Sequence, residues 1–150
     1  MNWRRAIYRA GRICRYVPAT VSVAVICYAA LKPSPAISEL PFMPPWLGRW
    51  LDHEDFLCNV SGYLVLTIVI HATFSGWRRA AAGVVWRRAA WLGVLVAGLE
   101  CGQLFLPRRF FDLHDIASGW LGVVVASLPW LVLPVKAATP KTPGLAKPAE

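Results

Sequence analysis

Apolar residues in this chain gather into four runs, at about 16–31, 56–74, 89–106 and 116–135, separated by charged or proline-rich links. None of the runs alternates as a half-buried strand does, and none keeps the polar face of a helix in a water-soluble domain. The last three approach the roughly 20 apolar residues that let a helix cross a bilayer. Tyr16–Leu31 is short for that task at about 1.5 Å per residue. The pattern predicts an all-α fold, a polytopic membrane four-helix bundle.

The links sharpen the boundaries. Lys32–Pro45 contains five prolines and reads as a loop. Next to it, Pro45–Trp50 sets Trp46 and Trp50 beside Leu47 and Leu51, as expected of a segment lying at headgroup level. Pro107 is expected to stop the third span, while Pro129 and Pro134 should bend or end the fourth. Ahead of the first run, Trp3, Ile7, Ala10, Ile13 and Cys14 recur at helical spacing, with Arg4, Arg5, Arg12 and Arg15 off that stripe. This predicts an interfacial amphipathic helix on anionic headgroups. A nucleic-acid arm is the alternative, but no base-stacking pattern accompanies it. A cleavable signal peptide ending near Ser34-Pro35-Ala36 is another, and the length of the basic region favours a retained helix. The expected division is a basic interfacial helix over 1–15, a membrane domain over 16–135 and a disordered tail over 136–150, rich in Ala, Pro, Thr and Lys.

Composition adds little until charge is placed on the map. The chain is 57% hydrophobic, with mean hydropathy +0.47 and eight Trp, too apolar for a soluble domain of 150 residues. Its net charge of +8 does not require nucleic acid, because the charges segregate. The N-terminus, the 75–88 link and the tail carry twelve Lys/Arg and one acid. The opposite ends of the runs carry seven acids against Lys32, Arg49, Arg108 and Arg109. The positive-inside rule then puts both termini in the cytoplasm and the acidic rim outside, which in a bacterium is the periplasm or cell exterior. Cys14, Cys27, Cys58 and Cys101 lack any C-x-x-C or zinc spacing and read as small apolar filler, although Cys58 and Cys101 should lie at similar depth.

Polar residues within the runs are the candidates for chemistry. Asp52-x-x-Asp55 and Asp112-x-x-Asp115 open the second and fourth spans, where capping explains them and also fixes their carboxylates at one vestibule. Asn59 and Tyr63 follow Asp55 on one helix face, and Asn59 suits interhelical bonding. His71 reads as a satisfied interfacial residue, and His53 and His114 as outer-rim histidines. Glu100 and Gln103 share a face below Pro107, with Arg109 or Arg108 as counter-charge. Gly98-x-x-x-Gly102 on the other side is expected to pack closely on a neighbour. No nucleophile–base pair, metal-ligand spacing or cofactor signature is present, and acids near one rim do not make an ion pathway across the bilayer.

Asp55-x-x-x-Asn59-x-x-x-Tyr63, then Glu100-x-x-Gln103-Leu-Phe-Leu-Pro107-Arg-Arg109-x-x-Asp112-x-x-Asp115, then Gly122, resembles the signature of the VanZ-like membrane proteins. The resemblance covers about residues 52–127. It implies a small multi-pass bacterial protein of the cell envelope, in a family whose namesake is linked to resistance to the glycopeptide teicoplanin. One position departs: the family's Asn falls on Gly119, with Ser118 beside it. The expected site is a pocket of Asp55, Asn59, Tyr63, Glu100, Gln103, Arg109, Asp112 and Asp115. There Arg109 would clamp the phosphate or carboxylate of an anionic lipid-linked or peptidoglycan-type molecule, with Glu100 orienting Arg109 or acting as acid/base. The alternative is a non-enzymatic partner of another envelope protein, its charged rim purely structural. Membrane lipids are partners in either case, and nucleic acid is not.

Overall fold

The computed structural model describes residues 14–133 except 35, 42 and 108. Within these residues the fold is all-helical. Helix α1 (Val17–Leu31) leads through a 3-10 turn (Ile37–Glu39) to α2 (Pro45–His53), α3 (Asp55–Ser75), α4 (Ala82–Gln103), α5 (Leu113–Ser127) and the short α6 (Pro129–Val132). The interfacial helix expected over 1–15, the tail and Arg108 fall almost wholly outside the described residues.

Three segments are long and apolar enough to cross a membrane: Asp55–Ser75, Ala82–Gln103 and Leu113–Val132. Helix α1, at 15 residues, rises only about 22 Å against a hydrocarbon core of about 30 Å. The second span matches the apolar run to within a residue. The third is displaced: it runs over Ala82–Gln103 rather than 89–106. Arg87 and Arg88 fit its first turns because long side chains can reach the interface, and the chain leaves the helix and turns at residues 104–106, before Pro107 is reached. The fourth begins at Leu113 and is interrupted at Leu128, since Pro129 cannot supply the N–H that continues α5. Gly76, at φ +62, ends α3 and donates its N–H to Ala72 O at 2.8 Å, a left-handed conformation that glycine adopts without steric cost.

Helices α3 and α5 make the most extensive contact, with α4 packed on α5 and α1 on α3. The core joins Tyr63 and Leu66 to Ala89, Leu92, Val96 and Val123. Large apolar side chains such as Val65, Trp91, Val94 and Val125 point outward, as lipid-facing positions do. Close approach is set chiefly by two glycines, Gly122 and Gly93. A Cβ on Gly122 would strike Val60 O and the Leu64 backbone, and one on Gly93 would enter the Trp120 ring. Of the expected Gly98-x-x-x-Gly102 pair, Gly102 does approach α1 closely, its Cβ position 3.2 Å from Leu31 Cδ2, while Gly98 has nothing near its Cβ position.

The two ends of the bundle differ chemically. One gathers Arg15, Arg78, Arg79, Arg87 and Arg88. There Arg88 Nη1 donates to Ser75 Oγ (2.6 Å), Trp130 Nε1 to Gly76 O (2.9 Å) and Ala80 N to Trp130 O (3.0 Å). The other end holds the seven acids between Glu39 and Asp115 and contains the candidate site.

Candidate functional site

Helix termini and the loops joining them build the acidic end. The two Asp-x-x-Asp entrances are not equivalent. Asp112 is the N-cap of α5, its carboxylate accepting from His114 N at 2.8 Å, which satisfies an N-terminal donor as capping should. Asp52 instead lies inside α2. It accepts from the backbone N–H of Ile37 and Ser38 and from the Ser38 hydroxyl, pinning the 3-10 turn. Helix α3 begins after Glu54 with no side-chain cap, so the expected cap at Asp52 is corrected. The difference arises because α2 continues to His53 and leaves Asp52 no free helix end to serve. Burial raises the Asp52 carboxyl pKa, but the Ser38 hydroxyl, the Ile37 and Ser38 amides and nearby Lys32 outweigh it and hold the carboxyl below its ordinary value.

Below these caps lies a cavity of about 280 Å³ lined by side chains from α1, the 37–43 loop, α2, α3, α4, Arg109 and α5. Asp55, Asn59, Tyr63, Glu100, Gln103, Arg109 and Asp115 all line it. Asp112 does not: it is exposed and committed to its cap. The opposite wall is apolar, formed by Val25 and Ile26 of α1 with Leu40, Met43 and Leu51. The hollow is therefore amphiphilic, polar toward α3, α4 and α5 and apolar toward α1 and α2.

Asn59 Nδ2 donates to Asp115 Oδ1 at 2.7 Å, joining α3 to α5. Gln103 Nε2 donates to Glu100 Oε1 at 3.0 Å, both residues 5% exposed. Glu100 Oε2 is buried and has no hydrogen-bond partner among the described residues. Arg109 is not its ion-pair partner there. The guanidinium instead donates from Nη2 to Ala29 O (3.0 Å) and Ser34 O (3.4 Å), and from Nε to Lys32 O (3.3 Å). It thereby caps carbonyls at the end of α1, where the helix dipole favours a cation. Only Nη1 keeps donors free of these bonds. Burial lowers the Arg109 pKa, with Glu100, Asp115 and Asp55 acting in the opposite direction, and an arginine stays charged throughout. Ser118, beside Gly119, donates to Asp115 O within its own helix (3.0 Å).

No group of three or more His, Cys, Asp or Glu that could hold a metal ion occurs among the described residues. The four cysteines are free, Cys101 exposed and Cys58 half-buried. Away from the hollow, His71 is fully buried and stacked on Trp130 at 5.0 Å. Ser127 Oγ donates to Val123 O (2.7 Å), so it accepts from His71 Nε2 at 3.2 Å and leaves Nδ1 without a partner among the described residues. The sequence marks neither Ser127 nor the α1 carbonyls that hold Arg109. The proline at 33, which ends α1 and leaves its last carbonyls open, is the one available signal for the latter.

No family model matches the sequence, and comparison with curated proteins and with solved structures finds no similar chain.

Proposed function

We propose that this is a multi-pass membrane protein of the bacterial envelope, VanZ-like in its rim residues, whose acidic end faces away from the cytoplasm. Its four apolar helices lie within the bilayer, α1 only partly crossing it. The hollow binds the headgroup of an envelope amphiphile that carries an anionic group. The observation that carries the reading is the two-sided cavity. Residues remote in sequence (Asn59, Glu100, Arg109 and Asp115) meet on one wall, while Val25, Ile26, Leu40 and Met43 supply an apolar wall beside them. A site for a wholly water-soluble molecule would gain nothing from that second wall, whereas a chain-bearing molecule would. Arg109 Nη1 is the donor available to a phosphate or carboxylate. Any effect on teicoplanin susceptibility would follow from sequestering or presenting such a molecule.

Ala30 lines the hollow from α1, and Ala30→Phe would fill it without touching a polar group. The test is native mass spectrometry of protein extracted from bacterial membranes in mild detergent. Wild type should carry a lipid that Ala30→Phe lacks at equal helicity and elution volume. A lipid retained equally by both proteins, or absent from wild type, defeats the reading. Impermeant maleimide should label His114→Cys in intact cells, since His114 is exposed.

A second reading, an assembly protein with a structural rim, draws on the three bonds from Arg109 to carbonyls at and just beyond the end of α1. It expects a stoichiometric partner and no bound lipid in the same experiment.

A further inference from the structure

The charge of the hollow does not match a purely anionic guest. Three carboxylates (Asp55, Glu100 and Asp115) line it against one guanidinium, a formal balance of −2 from three negatives and one positive. Most of the Arg109 donors are already engaged: of the five N–H groups of a guanidinium, Nε and Nη2 are turned to α1. Lys32 is turned away as well, toward Ala36 O and Glu39 at 3.6 Å. What remains is mainly unused acceptors. Glu100 Oε1 takes the Gln103 amide and Asp115 Oδ1 takes Asn59, but Glu100 Oε2 is buried with no donor among the described residues.

A buried carboxylate oxygen without a donor is costly, and a guest that supplies the donor removes the cost on binding. A divalent cation is a poor candidate, because the acids are not gathered closely enough to coordinate one. A quaternary ammonium has no N–H to give, and Tyr63 alone does not make the aromatic cage such groups use. A primary ammonium offers three donors and a compact positive charge.

We infer that the hollow takes the primary ammonium of an amphiphile headgroup, held by Glu100 Oε2 and Asp115, with the anionic group of the same headgroup at Arg109 Nη1. This rests on the reading of the hollow as a headgroup site and specifies its chemistry: the guest bears both charges.

The full chain in non-ionic detergent is titrated calorimetrically with dihexanoyl phosphatidylethanolamine, phosphatidylcholine and phosphatidylglycerol, which share one body and phosphate. The ethanolamine lipid should bind about tenfold or more tightly than the other two, as a hydrogen bond to a charged group allows. Glu100→Gln should erase that preference by weakening the ethanolamine lipid itself. Asp115→Asn, which keeps the acceptor for Asn59, should reduce it, and circular dichroism should show both variants folded. Equal or tighter binding of the glycerol lipid overturns the ammonium assignment while leaving the headgroup site standing. So does a preference that survives both substitutions. Binding of none of the three lipids removes the headgroup site and the inference together. Free ethanolamine competing as well as its lipid keeps the ammonium contact but removes the apolar wall from the account, which overturns the functional reading and the amphiphile guest together.

Discussion

Gly122→Ala tests the packing on which the hollow depends. The Cβ it adds would meet Val60 O and lie 3.0 Å from Leu64 N, both backbone atoms of α3. Backbone cannot rotate aside as a side chain can, so α3 and α5 must separate or tilt. Overpacking costs about 1–3 kcal/mol, and a backbone clash belongs at the upper end. Alanine in a helix interior returns about 1 kcal/mol relative to glycine. The net loss is then about 2 kcal/mol, or about a thirtyfold fall in the ratio of folded to unfolded protein. Gly98→Ala is the control: nothing lies within 4 Å of its Cβ, so only the helical gain of about 1 kcal/mol should remain. Two glycines in neighbouring spans are thus expected to give shifts of opposite sign.

Steric trapping in bicelles would measure both equilibria, and the Asn59–Asp115 bond gives a local readout. It joins the same two helices at 2.7 Å about two turns from Gly122. Separation at Gly122 should lengthen it and raise solvent exchange at the Asn59 amide. Equal shifts for the two variants, or a stabilised Gly122→Ala, would show that α3 and α5 do not approach at this glycine.

Other substitutions address single contacts. Asn59→Ala leaves Asp115 Oδ1 without its donor and should cost about 1–3 kcal/mol in the same assay. Gly119→Asn inserts the VanZ-like residue, but its Cβ would lie 2.8 Å from Val96 and 2.9 Å from Tyr63. It should displace the Tyr63 ring, shrink the hollow and weaken lipid retention at near-normal abundance. Ser38→Ala removes one donor to Asp52. The Asp52 pKa is held below its ordinary value near 3.8, so the stabilisation is fully present above that value and is lost as pH falls through the lower folded one. In wild type, protection of the Ile37 and Ser38 amides should therefore persist at pH 5 and fail only on further acidification. In Ser38→Ala it should fail at higher pH than in wild type.

The helices were legible because apolar length is a one-dimensional property, and proline and glycine mark its ends. The α3 limits follow from the run and from Gly76. The start of α4 does not, because Arg87 and Arg88 look like a link and their alkyl stems permit a helical turn. Site residues were legible as types but not as pairings. Glu100, Gln103 and Asp115 attract notice as polar groups in apolar runs, and seven of the eight expected residues line one cavity. The partner of Arg109 was misread because a carboxylate on the adjoining helix is a more obvious match than three carbonyls some eighty residues away. The Gly98-x-x-x-Gly102 spacing was informative only in part: it identifies a small face, and only the neighbour decides that Gly102 meets Leu31 while Gly98 meets nothing.

The misreading of Arg109 has a physical origin, which bears on how the hollow stays open. Arg109 is long enough to reach the carbonyls ending α1, and those carbonyls lack intrahelical donors because the chain turns at Pro33. Each therefore meets a need the other creates, and the bond fixes α1 against the turn between α4 and α5. If Arg109 had closed on Glu100, the carboxylate would be neutralised and α1 would be left to packing alone on α3 and α4. With Arg109 drawn to α1, the apolar wall is held at a distance from the polar one. Glu100 keeps an oxygen without a donor among the described residues, and opening the hollow and charging it become consequences of a single contact.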